Sequence, residues 1–296
     1  MTLSHILAEL VLDTQADRIP PSSDDAARKM LLDTLGCMLA GVEAPGIAPL
    51  LELERELAAR GNGTVIHYGD RLALPSAAYV NSAMAHALDF DNNYPGADIH
   101  IMSIVVPVAF ACAEERECNG REFLSAMILG VEAAARIAKP YMRAGRAHNY
   151  FLTTSLVGGW GGVATAARLL GLSVEQTVNA FGIYYAHTCG NRQTLLEKKL
   201  TKRIQPAIAA RAGLYAALLA RKGFTGPEQT FEGKAGFYRL YTLDDPPAED
   251  SFRAPPAPFG IEELVVKQFP TCGIHHGNIV AALQLREKHG IRCEDI

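Results

Sequence analysis

The sequence predicts an all-α chain organised as a large helical bundle. Three observations carry this reading: apolar residues recur at helical spacing over most of the chain, period-two alternation is nearly absent, and alanine and glycine recur along successive apolar stripes. Small side chains let helix backbones approach closely, which favours helix packed on helix over a sheet with helical covers.

The first stripe is Ile6, Leu7, Leu10 and Val11. After the loop IPPSSD the pattern resumes at Ala26, Met30, Leu31, Thr34 and Leu35, with Ser22, Ser23 and Asp24 available as caps, and Met38 continues it until Gly41 ends it. GNGTV followed by HYGDRLALP predicts a short extended or turn segment, because Gly and Pro punctuate it and Val65 and Ile66 favour extended backbone. A helix over residues 76–89 follows, then helical spacing over 123–137, 161–170, 174–186 and 207–220. After Gly223 the Gly- and Pro-rich stretch GFTGPEQTFEGKAGFYRLYTLDDPPAEDSFRAPPAPFG reads as a long irregular connection. It places a boundary near residues 245–260, giving a helical domain over 1–250 and a second segment over 251–296. A last helix spans 277–288, and HGIRCEDI then leads toward an element the sequence does not contain, as expected of a shortened variant or a fragment.

Composition excludes several classes. The 28 Lys and Arg against 32 Asp and Glu leave a net charge of −4, with no electrostatic footprint for nucleic acid. Hydrophobic residues at 49% and charged ones at 20% are ordinary globular usage. The longest nearly apolar run, 101–113, is interrupted by Ser103 and Pro107 and falls short of the roughly 18 to 20 residues a membrane span needs. The N-terminus lacks a basic region, and Glu9 and Asp13 break its apolar spacing, so a cytoplasmic location is expected. The six cysteines form no C-x-x-C pair, which predicts free, mostly buried thiols.

The motif HALDFDNN places His86 and Asp89 three residues apart on one helix face, with Asp91, Asn92 and Asn93 at the helix end and His100 a short loop later. Carboxylates beside imidazoles suit proton transfer at carbon, and solvated acids at a helix terminus are the bland alternative. His and carboxylates at these spacings can also ligate Zn or Mn, although no H-E-x-x-H or comparable second anchor accompanies them. GGWGGVATAARLLG contains a G-x-G-x-x-A match, but without strands on either side it reads as close helix packing and not as a dinucleotide loop. EKKLTKR is a solvated loop or helix start, or supplies a lysine that meets a substrate carboxylate. His275 and His276 precede the last helix, and adjacent residues point apart, so at most one faces a site.

With these segments in place the sequence resembles the MmgE/PrpD family, which includes 2-methylcitrate dehydratase, cis-aconitate decarboxylase and an iminodisuccinate epimerase. The resemblance runs through LLDTLGCMLAG (31–41), AAYVNSAMAHALDFDN (77–92), VVPVAFACAE (105–114), AARLLGL (166–172), the GP and EG turns near Gly226 and Gly233, and KQFPTCGIHHGNIVAAL (267–283). It implies a large all-helical domain and a smaller α+β lid, of which only the beginning is present, with a cofactor-free, metal-independent cleft between them. It assigns Asp89, His100, Lys202 and His276 as catalytic residues, with Asp91 and Asn93, at and just beyond the acids, as substrate-binding candidates. The family's H-P-S is His100, Ile101 and Met102 here, and its second D-D is Asp91 and Asn92. The family histidine before the AARLLGL helix aligns with Leu152, leaving His148 as the nearby substrate-binding candidate.

The implied activity is that of a lyase on a small di- or tricarboxylate, with dehydration ahead of decarboxylation. A base removes a weakly acidic proton next to a carboxylate while positive charge holds the substrate. The alternatives are an isomerase or epimerase on the same cleft, and a lidless, inactive relative acting as a binding subunit. A homodimer is expected from the Ala- and Gly-rich apolar helices, and a separate lid-bearing polypeptide is a possible partner.

Overall fold

A computed structural model describes residues 1–57, 59–143, 150–243, 246–253 and 258–296. The chain is all-α. Helix α1 (Leu3–Asp13) starts where Thr2 Oγ1 accepts the His5 backbone N–H, and buries Ile6, Leu7, Leu10 and Val11 as its spacing predicts. Helix α2 (Pro21–Gly41) begins at a proline, whose missing N–H matters least in a first turn. Ser22, Ser23 and Asp24 therefore lie inside the helix and do not cap it; Ser23 is buried and donates to Glu262 Oε1 at 2.5 Å. The buried face of α2 is also rotated from the expected stripe: Ala27, Met30, Thr34, Cys37 and Met38 are inside, while Leu31 and Leu35 are only partly covered.

Helix α3 (Ile47–Leu57) leads to strands β1 (Arg60–Thr64) and β2 (Arg71–Leu72), which pair antiparallel in the region predicted as extended. The bundle proper consists of α4 (Leu74–His86), α5 (Met102–Arg116), α6 (Gly120–Arg143), α7 (Thr153–Leu170), α8 (Val174–Tyr185), the single turn α9 (Gln193–Leu196) and α10 (Thr201–Arg221). Helix α10 packs on α4, α7, α8 and α5, and α7 on α6 and α5. The glycines of α7 are contact points between helices. A Cβ on Gly159 would stand 2.1 Å from the Tyr184 ring, one on Gly161 2.7 Å from the Gly130 carbonyl oxygen, and one on Gly213 of α10 2.5 Å from the Gly159 carbonyl oxygen. Close helix packing thus accounts for the G-x-G-x-x-A match.

The connection after Gly223 is irregular but packed. Its aromatic residues Phe231, Phe237, Tyr238 and Phe252 are buried, the first two against Trp160, and FYRLY forms a short helix α11 (Phe237–Tyr241). Arg136 of α6, paired with Glu132 at 2.8 Å, donates to the carbonyls of Ser251 and Arg253, and Glu132 accepts the Gly260 N–H at 2.7 Å. Packing on the bundle continues to Leu264, whereas helix α12 (His276–His289) has no buried residue. The cysteines differ from expectation: all are free, but only Cys37 and Cys112 are buried, with Cys189 and Cys293 exposed.

Candidate functional site

The site forms where α4 ends. Helix α4 stops at His86, and the chain turns through Asp89, whose φ of 60° lies in the left-handed region that Asp tolerates better than most residues. The turn lets two acids and two imidazoles converge. His86 Nδ1 lies 2.9 Å from Asp91 Oδ2, both side chains buried. Backbone bridges between Asn93 and Val265 and between Tyr94 and Ile99 then return the chain to His100. The His100 backbone N–H donates to Thr154 Oγ1 at 3.0 Å, and its Nδ1–H donates to the Asn92 carbonyl at 2.9 Å. Its Nε2 lies 3.8 Å from Asp89 Oδ1. The His86 and His100 rings are tilted against each other at 5.0 Å.

Two cations from distant segments complete the cluster. Lys202, in the first turn of α10, places Nζ 3.1 Å from Asp89 Oδ1, and Lys267 places Nζ 3.3 Å from the same oxygen and 2.5 Å from the Asp89 carbonyl oxygen. Lys267 is delivered by the Asn93–Val265 bridge two residues before it. Within EKKLTKR, Lys202 is thus the residue that meets the acids, and Arg203 is engaged by the Pro45 carbonyl. A cavity of about 390 Å³ opens beside the pair, lined by Asp89, Thr194, Lys198, Lys199, Leu200 and Lys202 among others.

The electrostatics follow from burial and pairing. Burial works against a charged Asp89, but Lys202, then His86, His100 and Lys267, outweigh it and hold the carboxyl well below the usual carboxylate range. Asp91 is likewise buried, and the adjoining imidazoles keep it ionised. Burial pushes His86 below its ordinary value, so at neutral pH it is a neutral imidazole donating Nδ1–H to Asp91. Desolvation raises Asp33 of α2, despite hydrogen bonds from Asn92. Burial also lifts the Cys37 thiol to about 12, leaving it protonated and unreactive.

Of the expected site residues, the structure brings Asp89, Asp91, His100 and Lys202 together. Asn93 adjoins them through its backbone bridge to Val265, and its buried Oδ1 has no hydrogen-bond partner. His276 stands apart: its Nε2 lies 3.3 Å from the Thr271 carbonyl, its ring packs edge-on against Phe269, and among the described residues it makes no contact with the acids. His148 lies outside the described residues. Sequence reasoning missed Lys267, whose only signal was its place at the head of KQFPTC.

One donor atom from each of His86, Asp89, Asp91 and His100 falls within 4.8 Å of the others, a set whose chemistry suits a first-row transition metal. Two ammonium groups already share Asp89, and the His86–Asp91 hydrogen bond engages a second pair, so an ion there would compete with both. No helix of the described residues is long and apolar enough to cross a membrane.

The chain is 28% identical over 292 residues to the cis-aconitate decarboxylase of Aspergillus terreus, covering 92% of this chain and 58% of that protein. It is 29% identical over 249 residues to the cis-aconitate decarboxylase-like protein oryM of Aspergillus oryzae (80% and 52%), and 28% identical over 266 residues to the cis-aconitate decarboxylase of Homo sapiens (88% and 55%). The chain therefore spans a little over half the length of the curated relatives it matches. The profile of the MmgE/PrpD N-terminal domain matches residues 5–250, and the chain belongs to the MmgE/PrpD family.

Proposed function

We propose that this chain carries the cleft of a lyase that breaks a bond next to a carboxylate of a small di- or tricarboxylate. The observation that carries the reading is one carboxylate, Asp89, held between Lys202 and Lys267 at the edge of a cavity rich in lysine. Incoming substrate carboxylates replace Asp89 as partners of the ammonium groups, and those groups then stabilise the negative charge that develops when a C–H or C–CO2 bond breaks. His100, its Nδ1–H engaged by Asn92, presents Nε2 toward the same place and moves the proton. The curated relatives are decarboxylases of cis-aconitate, which supports decarboxylation where the sequence pointed first to dehydration. In decarboxylation the C–C bond to one carboxylate breaks, CO2 leaves, and the resulting carbanion takes a proton. The two lysines supply the positive charge a metal would otherwise bring, which supports a metal-independent reaction.

The test is proton NMR in D2O with cis-aconitate, 2-methylcitrate, citrate and an imino-dicarboxylate, each with and without EDTA. Decarboxylation or elimination that survives EDTA is the expected result. Deuterium exchange without net elimination would replace the lyase by an epimerase, and no turnover by folded chain would leave a binding role.

A further inference from the structure

We infer that Asp33, on helix α2, is a positioning residue that sets which nitrogen of His100 carries the proton, acting through Asn92. The inference rests on the reading that His100 works in the cleft, and it concerns a residue without direct contact to the lysines or to the cavity beside them.

The chain of contacts is short and largely buried. Asp33 Oδ2 accepts the Asn92 side-chain amide at 3.0 Å. The same Asn92 amide lies 3.3 Å from Thr34 Oγ1, whose hydroxyl proton is directed to the Met30 carbonyl at 2.7 Å, leaving the oxygen as an acceptor. Asn92 is fully buried. Its side chain is therefore held by α2, while its carbonyl meets His100 Nδ1 at 2.9 Å.

A carbonyl oxygen only accepts, so the nitrogen that meets it carries the proton in the neutral ring. That leaves Nε2 with its lone pair on the side of Asp89. Rotation of the Asn92 peptide would remove this acceptor, and Asp91 Oδ2, 3.5 Å from Nδ1 and already engaged by His86 Nδ1 at 2.9 Å, makes no hydrogen bond to His100 in its place. The peptide that carries this carbonyl is held on its far side by the Asn93 N–H, which donates to the Val265 carbonyl at 3.0 Å, and on the Asn92 side by Asp33, fixed on a 21-residue helix.

The geometry also explains why an amide suits position 92. A carboxylate there would face Asp33 and two anions would share a desolvated space, whereas the amide turns the same contact into a hydrogen bond.

The experiment is nitrogen-15 NMR of the full chain labelled at histidine, with the His100 signals assigned by their loss in His100→Gln. Wild type is expected to show His100 protonated at Nδ1 and bare at Nε2. Asp33→Leu should shift His100 toward a mixture of tautomers and lower kcat by about ten- to a hundredfold with little change in KM. Asp33→Asn, which keeps an acceptor for the Asn92 amide, should restore the wild-type tautomer. Asn92→Ala removes the side-chain grip and is the second variant should Asp33→Leu not fold. A shift in both variants, or in Asn92→Ala where Asp33→Leu does not fold, supports the inference, and a shift in Asp33→Leu with none in Asn92→Ala overturns the route through the Asn92 amide. A wild-type His100 spectrum in folded Asp33→Leu overturns the inference, as does a shift confined to Asn92→Ala. Because the tautomer is read without turnover, failure of the lyase reading and failure of this one are distinguishable.

Discussion

Replacing Lys202 and Lys267 with methionine, singly and together, tests whether the two ammonium groups act as one counter-charge for Asp89. Methionine keeps most of the apolar stem and removes the charge. At an effective dielectric near 20, each ammonium about 3 Å from the carboxylate gains about 5 kcal/mol of attraction, most of it offset by desolvation of the pair. With either lysine gone, the other still stands at 3.1 or 3.3 Å from Asp89 Oδ1. Each single variant should therefore cost only about 1–2 kcal/mol. The double variant leaves a largely buried carboxylate without an ammonium partner and should cost about 4–5 kcal/mol. Measured by thermal unfolding, these correspond to losses of about 2–4 °C for the singles and about 8–10 °C for the double. The sign of the pH dependence should change as well. In wild type the folded-state pKa of Asp89 is depressed, so its stabilising contribution is present above its ordinary value of 3.8 and is lost as pH falls through the lower folded value. In the double variant burial dominates, the folded pKa moves up, and stability from this group is lost as pH rises through it. Strictly additive losses, or a double variant as stable as wild type at neutral pH, would refute the shared counter-charge.

Three further outcomes follow from the geometry. Gly213→Ala sets a methyl group against the Gly159 carbonyl and should cost about 1–3 kcal/mol in denaturant unfolding while displacing α10 and with it Lys202; activity unchanged in a stable variant would contradict that coupling. Acid titration followed by near-UV circular dichroism should show tertiary structure lost below the ordinary His value of 6.5 and further below 3.8, because His86, Asp91 and Asp89 all have depressed folded pKa values; unchanged stability down to pH 3 would contradict them. Lys198→Gln with Lys199→Gln should raise KM for a tricarboxylate several-fold more than for a dicarboxylate, with kcat nearly intact, since both lysines line the cavity beside Asp89; equal effects on both substrates would remove them from recognition.

Much of the architecture is legible in the sequence because helices advertise themselves locally. The stripe of α1, the glycines of α7 and the break after Gly41 all follow from side-chain size and spacing over a few residues. The His86, Asp89, Asp91 and His100 cluster is legible for the same reason, since one helix end and one short loop hold it. Asp33 and Lys267 are not. Asp33 sits among partly exposed residues of α2 and reads as a solvated acid until the fold sets Asn92 against it. Lys267 reaches Asp89 across 178 residues of chain, a closure that no local pattern encodes. The aromatic residues after Gly223 have no periodicity either; they are ordered by the Trp160 surface they cover.

The bridge between Asn93 and Val265 has a consequence in time as well as in space. A chain emerging from the ribosome completes α4, the acids and α10 long before Val265 appears, so Asp89 first meets Lys202 alone and acquires Lys267 only when the bridge closes. Pairings of such sequence separation form late and slowly. The cluster is therefore balanced last, and any event that lifts the segment around Val265 from the bundle, a proteolytic nick ahead of it or a local opening, returns the site to that earlier, half-neutralised state without unfolding a single helix of the core.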